Sequence, residues 1–221
     1  MSIVGVIKDL EGNTYHIESD LGRGLQGATF LTKNSIDTRP LVVKLYHNAG
    51  SNIRPFETNR LKRIISVGKE IAPALPDFQI CFPYAIIDDG KHFGTVMPLA
   101  VGQPLTDDTN PIASLLLHPN NQSANYTGQL VRQVADGRVC YRSLMLAALH
   151  LARGVNELHR HGMAHSDLAL GNLFLDPESG RISVIDCDNL ACDGLLPTRV
   201  GGTPGYRMSN FQRHQTQIDS R

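Results

Sequence analysis

The chain has 221 residues, is 41% hydrophobic, and balances 21 Lys and Arg against 21 Asp and Glu for a formal net charge of zero. That length supports one sizeable domain or two small lobes. The lack of a basic block argues against a nucleic-acid surface, and no apolar run approaches the roughly 20 residues of a membrane helix.

The first ten residues carry Lys8 and Asp9 inside a short apolar stretch. They form no signal-peptide core, so a cytoplasmic location is expected. Four cysteines, at 81, 140, 187 and 192, include no C-x-x-C pair, which fits a reducing compartment. Cys187 and Cys192 could pair on zinc, but no second ligand pair follows at structural-zinc spacing, and apolar filling is the preferred reading.

Residues 14–17, 28–32 and 41–47 alternate or run apolar between glycine and polar turns, which predicts an antiparallel meander. Leu21-Gly22-Arg23-Gly24-Leu25-Gln26-Gly27 would form its first hairpin. A helix is predicted over residues 56–67, with Pro55 and Asn52 suited to its start. Two further apolar runs, 80–83 and 93–99, flank the turn Asp88-Asp89-Gly90-Lys91 and read as the last strands of this half.

Residues 106–139 are polar and predict a short helix near 112–117 within a loop. The clearest helix is 142–161. Its apolar positions 144, 145, 147, 148, 151, 152, 155 and 158 recur at helical spacing and predict a largely buried face. Gly162 should end it in the left-handed conformation. His159 and His161, two apart, would point to different faces rather than to a common metal.

The most specific pattern follows. His165, Asp167 and Asn172 stand in H-x-D-x-x-x-x-N, and Val184-Ile185 delivers Asp186. Phosphoryl transfer needs charge neutralisation and alignment more than covalent chemistry. Asp186 and Asn172 offer hard oxygen ligands suited to magnesium. Asp167 could accept or orient the proton of an attacking hydroxyl. Lys44, in the apolar run Leu41-Val42-Val43-Lys44-Leu45, could reach triphosphate oxygens while the glycine loop lets backbone N–H groups approach them.

These four ordered elements resemble the protein-kinase-like superfamily: glycine loop, strand lysine, catalytic loop and metal-binding aspartate. The glycine loop alone would be weak, since 20 glycines in 221 residues make chance clusters easy. The stretch from Tyr84 to Leu105, with Lys44-Leu45-Tyr46-His47, looks similar to divergent bacterial serine/threonine kinases. The resemblance implies a two-lobed α+β fold. An antiparallel-sheet N-lobe would span residues 1–99 and an incomplete helical C-lobe residues 100–221.

The family further implies ATP and Mg2+ as cofactors. Catalytic roles would fall to Lys44, Asp167, Asn172 and Asp186, with metal held by Asn172 and Asp186. Nucleotide would meet Gly22, Gly24, Gly27, Lys44, Met97 and Leu99. Pro98 lacks an N–H, so a hinge hydrogen bond to adenine should come from Leu99 or Ala100. Glu57, rather than Glu70, would pair with Lys44, its alternative being a solvated first-turn glutamate. His165 would serve as a structural hydrogen-bonding residue. Asp188 stands where the family usually has glycine and could ligate metal or cap a turn.

Three departures from the pattern matter. Ser166 replaces the arginine that reads an activation-loop phosphate. Ala169 replaces the lysine two residues past the catalytic aspartate, a loss worth about 10²-fold or more in rate by analogy with other electrostatic stabilisers. Gly202-Thr203-Pro204-Gly205-Tyr206 resembles a substrate-positioning stretch, but Met208-Ser209-Asn210 stands where A-P-E would follow, and no further apolar helices complete a large lobe.

The expected function is transfer of the ATP γ-phosphate to a serine or threonine of a protein substrate, by a monomer. Two alternatives stay open. A small-molecule kinase of the aminoglycoside or choline kinase kind shares the catalytic elements but not the 202–206 stretch. A nucleotide-binding pseudokinase, or inactive truncated remnant, would lack transfer altogether.

Overall fold

The computed structural model describes residues 5–24, 26–34, 40–47, 50, 52–75, 78–104, 141–176, 179–192 and 195. Its larger sheet has six antiparallel strands in the order β1-β2-β3-β4-β7-β6. These are β1 (Val6–Lys8), β2 (Thr14–Arg23), β3 (Gly27–Asn34), β4 (Leu41–Tyr46), β6 (Ala85–Asp88) and β7 (Phe93–Pro98). Strands β4 and β7 are buried along almost their whole length, as their central place demands. β2 is exposed after Ile17, and two register shifts, between Ile17 and Ser19 and between Asp20 and Gly22, break its pairing with β3. Such bulges add twist just before the glycine loop.

The glycine loop is the second hairpin rather than the first. β1 and β2 pair ahead of it, with Ile7 opposite Tyr15. Within the glycine hairpin the Gly24 N–H donates to the Gly27 carbonyl. A Cβ on Gly27 would fall 2.2 Å from the Leu45 carbonyl oxygen, so the close β3–β4 approach requires glycine there.

Helix α1 runs Arg54–Ile71, longer than the predicted 56–67. Pro55 does sit in its first turn, but Ile53 rather than Asn52 occupies the cap position. The helix continues because Leu61, Ile64, Val67 and Ile71 keep one buried stripe. It stops where Pro73 can no longer donate an i→i−4 bond. These side chains join Phe78, Phe82, Ile86 and Phe93 in one core, while Ile7, Tyr15, Phe30, Val43, Ile87 and Val96 form a second. Truncating Ile64 to alanine would cost about 2–5 kcal/mol.

The predicted strand at 80–83 is displaced. Strand β5 (Phe78–Ile80) pairs in parallel with β11 (Ile182–Val184), in a four-stranded sheet ordered β5-β11-β10-β8. There β8 is Gln103–Pro104 and β10 is Leu173–Leu175. The partner of β7 on the outer edge is β6 instead. A short apolar run says only that it will be buried, and Cys81 N–H bonding to the Val184 carbonyl at 2.9 Å shows which sheet claimed it.

Helix α2 spans Tyr141–Arg160, matching the predicted element, but its buried face is narrower than its apolar positions imply. Ser143, Ala147, His150, Gly154 and Leu158 turn inward, while Ala148 and Ala152 are exposed and Met145 remains 53% exposed. The inward face is chosen by its neighbours. The Phe78 ring fills the notch at Gly154, and His150 Nδ1 lies 3.3 Å from the Gly180 carbonyl. Gly162 follows at φ +70°, the left-handed end expected of it. The expected helix near 112–117 and the stretch 202–206 lie outside the described residues.

Candidate active site

Strand β4 carries Lys44 into the cleft with only 8% of its surface exposed. Its ammonium bonds to Asp186 Oδ1, lies 3.0 Å from Asp188 Oδ2, and donates to Gln26 Oε1 at 3.3 Å. Burial alone would lower the lysine pKa, but the carboxylates of Asp188 and Asp186 outweigh it and hold the ammonium above its ordinary range. Burial likewise pushes the Asp186 carboxyl up, and the Lys44 charge overturns that, leaving it below the usual aspartate value.

Asp186 adopts φ 61° and ψ 27°, and it is the sole non-glycine residue with positive φ among the described residues. Aspartate tolerates this region better than most residues, because its short side chain hydrogen-bonds locally. Such a conformation persists where the surroundings over-determine it. Lys44 holds one carboxylate oxygen, and Asn189 Nδ2 donates to the other at 2.6 Å.

The loop bearing His165, Asp167 and Asn172 is tied to this turn. Strand β9 (Met163–His165) pairs with β12 (Leu190–Cys192), placing His165 opposite Leu190. His165 Nε2 donates to the Ile185 carbonyl at 3.0 Å, while Nδ1 accepts the Asp167 N–H at 3.2 Å. One imidazole therefore links Asp167 to the segment bearing Asp186, the structural role expected of it. Asn172 Nδ2 donates to the Asp167 carbonyl at 2.8 Å, and the Ile185 N–H to the Asn172 carbonyl at 2.9 Å. The loop and the segment leading to Asp186 are thus held as one hydrogen-bonded unit.

Beside them lies a cavity of about 270 Å³. Leu21, Val42, Met97, Phe174 and Ile185 give it apolar walls, with Lys44 and Asp186 at its polar side. Of the expected nucleotide residues, Gly22, Lys44, Met97 and Leu99 line it; Gly24 and Gly27 are not among the lining residues. Leu99 is corrected as a donor. Its N–H is taken by the Pro40 carbonyl at 3.2 Å, and its own carbonyl accepts from Gln79 Nε2 at 3.1 Å. The amide of Ala100, also in the wall, has no acceptor among the described residues.

The expected pairing of Glu57 with Lys44 is also corrected. Glu57 Oε2 accepts from Arg60 Nε at 3.0 Å and Nη2 at 2.5 Å, with both residues buried. Glu70 is exposed. Arg60 Nη1 reaches on to the Leu190 carbonyl at 2.9 Å. Asp188 caps no turn among the described residues, and its carboxylate faces Lys44 beside Asp186. At 0% exposure it receives Lys44 and a 2.7 Å hydrogen bond from the Tyr46 hydroxyl.

Sequence reasoning missed Gln26, Tyr46, Cys81 and Asn189. Asn189 donates to Gln26 Oε1 at 2.6 Å, joining the glycine loop to the aspartate turn. The visible signals were a glutamine inside the glycine loop and an asparagine three residues past Asp186. Cys81 lines the cavity, and burial pushes its thiol pKa up to about 12, which keeps it protonated.

Fit for a divalent metal can be judged from the donors. Among the described residues no group of three or more His, Cys, Asp or Glu could hold a metal by itself. Asp186 and Asn172 supply a carboxylate and an amide oxygen, which suits a hard ion that completes its shell from phosphate and water.

No protein-family model matches the chain. Among curated proteins, it is 39% identical over 85 residues to CBL-interacting protein kinase 16 of Oryza sativa subsp. japonica, covering 36% of this chain and 18% of that protein. CBL-interacting protein kinase 29 of the same plant is 27% identical over 197 residues, covering 87% of this chain and 39% of that protein. The chain therefore spans less than half the length of either relative. Among solved structures, vaccinia related kinase 3 matches with a TM-score of 0.57 and 17% identity, over 86% of this chain and 52% of that one. That likeness shows the fold.

Proposed function

We propose, from a fold like that of vaccinia related kinase 3, that this chain is a protein-kinase-like phosphotransferase that binds ATP in the 270 Å³ cavity and transfers its γ-phosphate to a protein serine or threonine. The observation that carries this reading is the junction at the cavity's polar side. Lys44 from the sheet meets Asp186 from the turn after β11, although 142 residues separate them.

In this reading the apolar walls take the adenine, and the Ala100 amide is the hinge donor. Lys44 faces the α- and β-phosphates, and Asp186 with Asn172 would hold magnesium. A magnesium ion, when bound, would neutralise and align the phosphate oxygens. Asp167, oriented through His165 and Asn172, accepts the proton of the attacking hydroxyl. The hydroxyl oxygen bonds to the γ-phosphorus, the bond to the β-phosphate oxygen breaks, and ADP leaves. Because the curated relatives are longer than this chain, the substrate and partners of the whole protein belong to the same proposal.

The test is phosphate transfer from labelled ATP to a general protein acceptor such as casein, with and without magnesium. Magnesium-dependent incorporation that Asp167→Ala abolishes, while MgATP binding survives, supports the reading. Incorporation only into small hydroxyl compounds would favour the small-molecule kinase. A nucleotide-binding pseudokinase draws on one observation: Ala169, where a cation is usual, is buried and apolar at 5% exposure. It predicts MgATP binding with no transfer to any acceptor.

A further inference from the structure

We infer that Asp188, rather than a glutamate of α1, is the residue that positions Lys44 for nucleotide; this rests on the reading of the cavity as a nucleotide site. Lys44 and Tyr46 are two apart on β4, so their side chains leave the same face of the sheet. Both converge on one carboxylate: Lys44 Nζ lies 3.1 Å from Oδ1 and 3.0 Å from Oδ2, and the Tyr46 hydroxyl donates to Oδ2 at 2.7 Å.

That carboxylate has no exposed surface. A buried carboxylate persists only when paired and hydrogen-bonded, and β4 supplies both partners. The short turn Cys187–Asn189 that carries Asp188 begins at Asp186 itself. One local turn therefore places the metal-side aspartate and the lysine-holding aspartate together.

Helix α1 is relieved of the task. Its Glu57 is bound by Arg60 in the same helix, and Arg60 fastens α1 to the Leu190 carbonyl beyond the turn. Lys44 is thus aligned by sheet and turn, and movement of α1 would not disconnect it from its carboxylate.

The first arm of the test needs no nucleotide. In a double-mutant cycle read by urea unfolding of the full chain, Lys44→Met and Asp188→Asn should be non-additive, while Lys44→Met and Glu57→Gln should be additive. Additivity in the first cycle, or coupling in the second, overturns the inference.

The second arm measures MgATP affinity by calorimetry. Asp188→Asn should weaken it about tenfold, Tyr46→Phe should weaken it less, and Glu57→Gln should stay within about twofold. Tyr46→Phe carries the test if Asp188→Asn fails to fold, since it removes one hydroxyl from the same carboxylate. An unchanged affinity in both variants, or a tenfold loss in Glu57→Gln, overturns the inference. Should the unsubstituted chain bind no MgATP, the nucleotide reading and the positioning role fall together, and the cycle still decides which carboxylate pairs with Lys44.

Discussion

The side chains of Gln26 and Asn189 meet across the cleft, with Asn189 Nδ2 donating to Gln26 Oε1 at 2.6 Å. The same amide donates to Asp186 Oδ2, and the same Gln26 oxygen accepts from Lys44. The glycine hairpin is thereby drawn onto the groups that would face phosphate. In the proposed nucleotide reading, phosphate entry would separate them. Gln26→Ala removes both bonds that this oxygen accepts, each worth about 0.5–1.5 kcal/mol net, and should tighten MgATP binding by about tenfold in calorimetry. Weaker binding would mean that Gln26 contacts the nucleotide.

Lys44→Met should destabilise the chain itself, apart from any effect on nucleotide. It would leave Asp188, with no exposed surface, supported only by Tyr46 among the described residues. Removing one member of a buried charged pair costs about 3–5 kcal/mol. Urea unfolding should show this as a lower midpoint, and an unchanged midpoint would contradict the burial of the pair.

The glycines of the loop are not equivalent. A Cβ at Gly27 would strike the Leu45 carbonyl oxygen, whereas one at Gly24 would meet nothing within 4 Å. Gly27→Ala should therefore cost about 1–3 kcal/mol through displaced backbone, and Gly24→Ala should lie within about 0.5 kcal/mol of the parent. Thermal unfolding of the two variants side by side checks the contrast.

Acid should erase the benefit of the Asp186 ion pair. Its folded-state pKa is depressed: burial opposes ionisation, but the Lys44 charge and the hydrogen bonds from Lys44 and Asn189 prevail. A depressed pKa contributes stability that is fully present above the unfolded value of about 3.9 and lost as pH falls through the folded value. The stability gap between the parent and Asp186→Asn should be widest near neutrality and should close below about pH 4. A gap independent of pH would show that the carboxylate charge does not matter.

Elements with a strong local period were readable from residues alone. Helix α2 was, because its apolar positions recur over 20 residues, and so was the left-handed Gly162 that ends it. Strand β4 was readable from an unbroken apolar run around Lys44. Strand β5 was not. Three apolar residues report burial without naming the neighbouring strand, and the parallel partner β11 lies some hundred residues away. Leu99 failed as a hinge donor for a related reason, since its N–H was claimed by Pro40, a distant residue brought alongside by the β4–β7 pairing.

By itself the sequence determined the chemical groups and their local spacing: His165, Asp167 and Asn172 on one loop, Asp186 after an apolar pair, Lys44 on a strand behind a glycine loop. Those relations are short-range, so residue type and backbone geometry suffice to read them. Only the tertiary structure decided who binds whom. Glu57 and Asp188 are both acids near the right elements, and nothing in their neighbours ranks one above the other as the partner of Lys44. The choice depends on where α1 and the turn after β11 dock against β4. That docking buries Asp188 completely beneath Lys44 and Tyr46, while Arg60 takes Glu57.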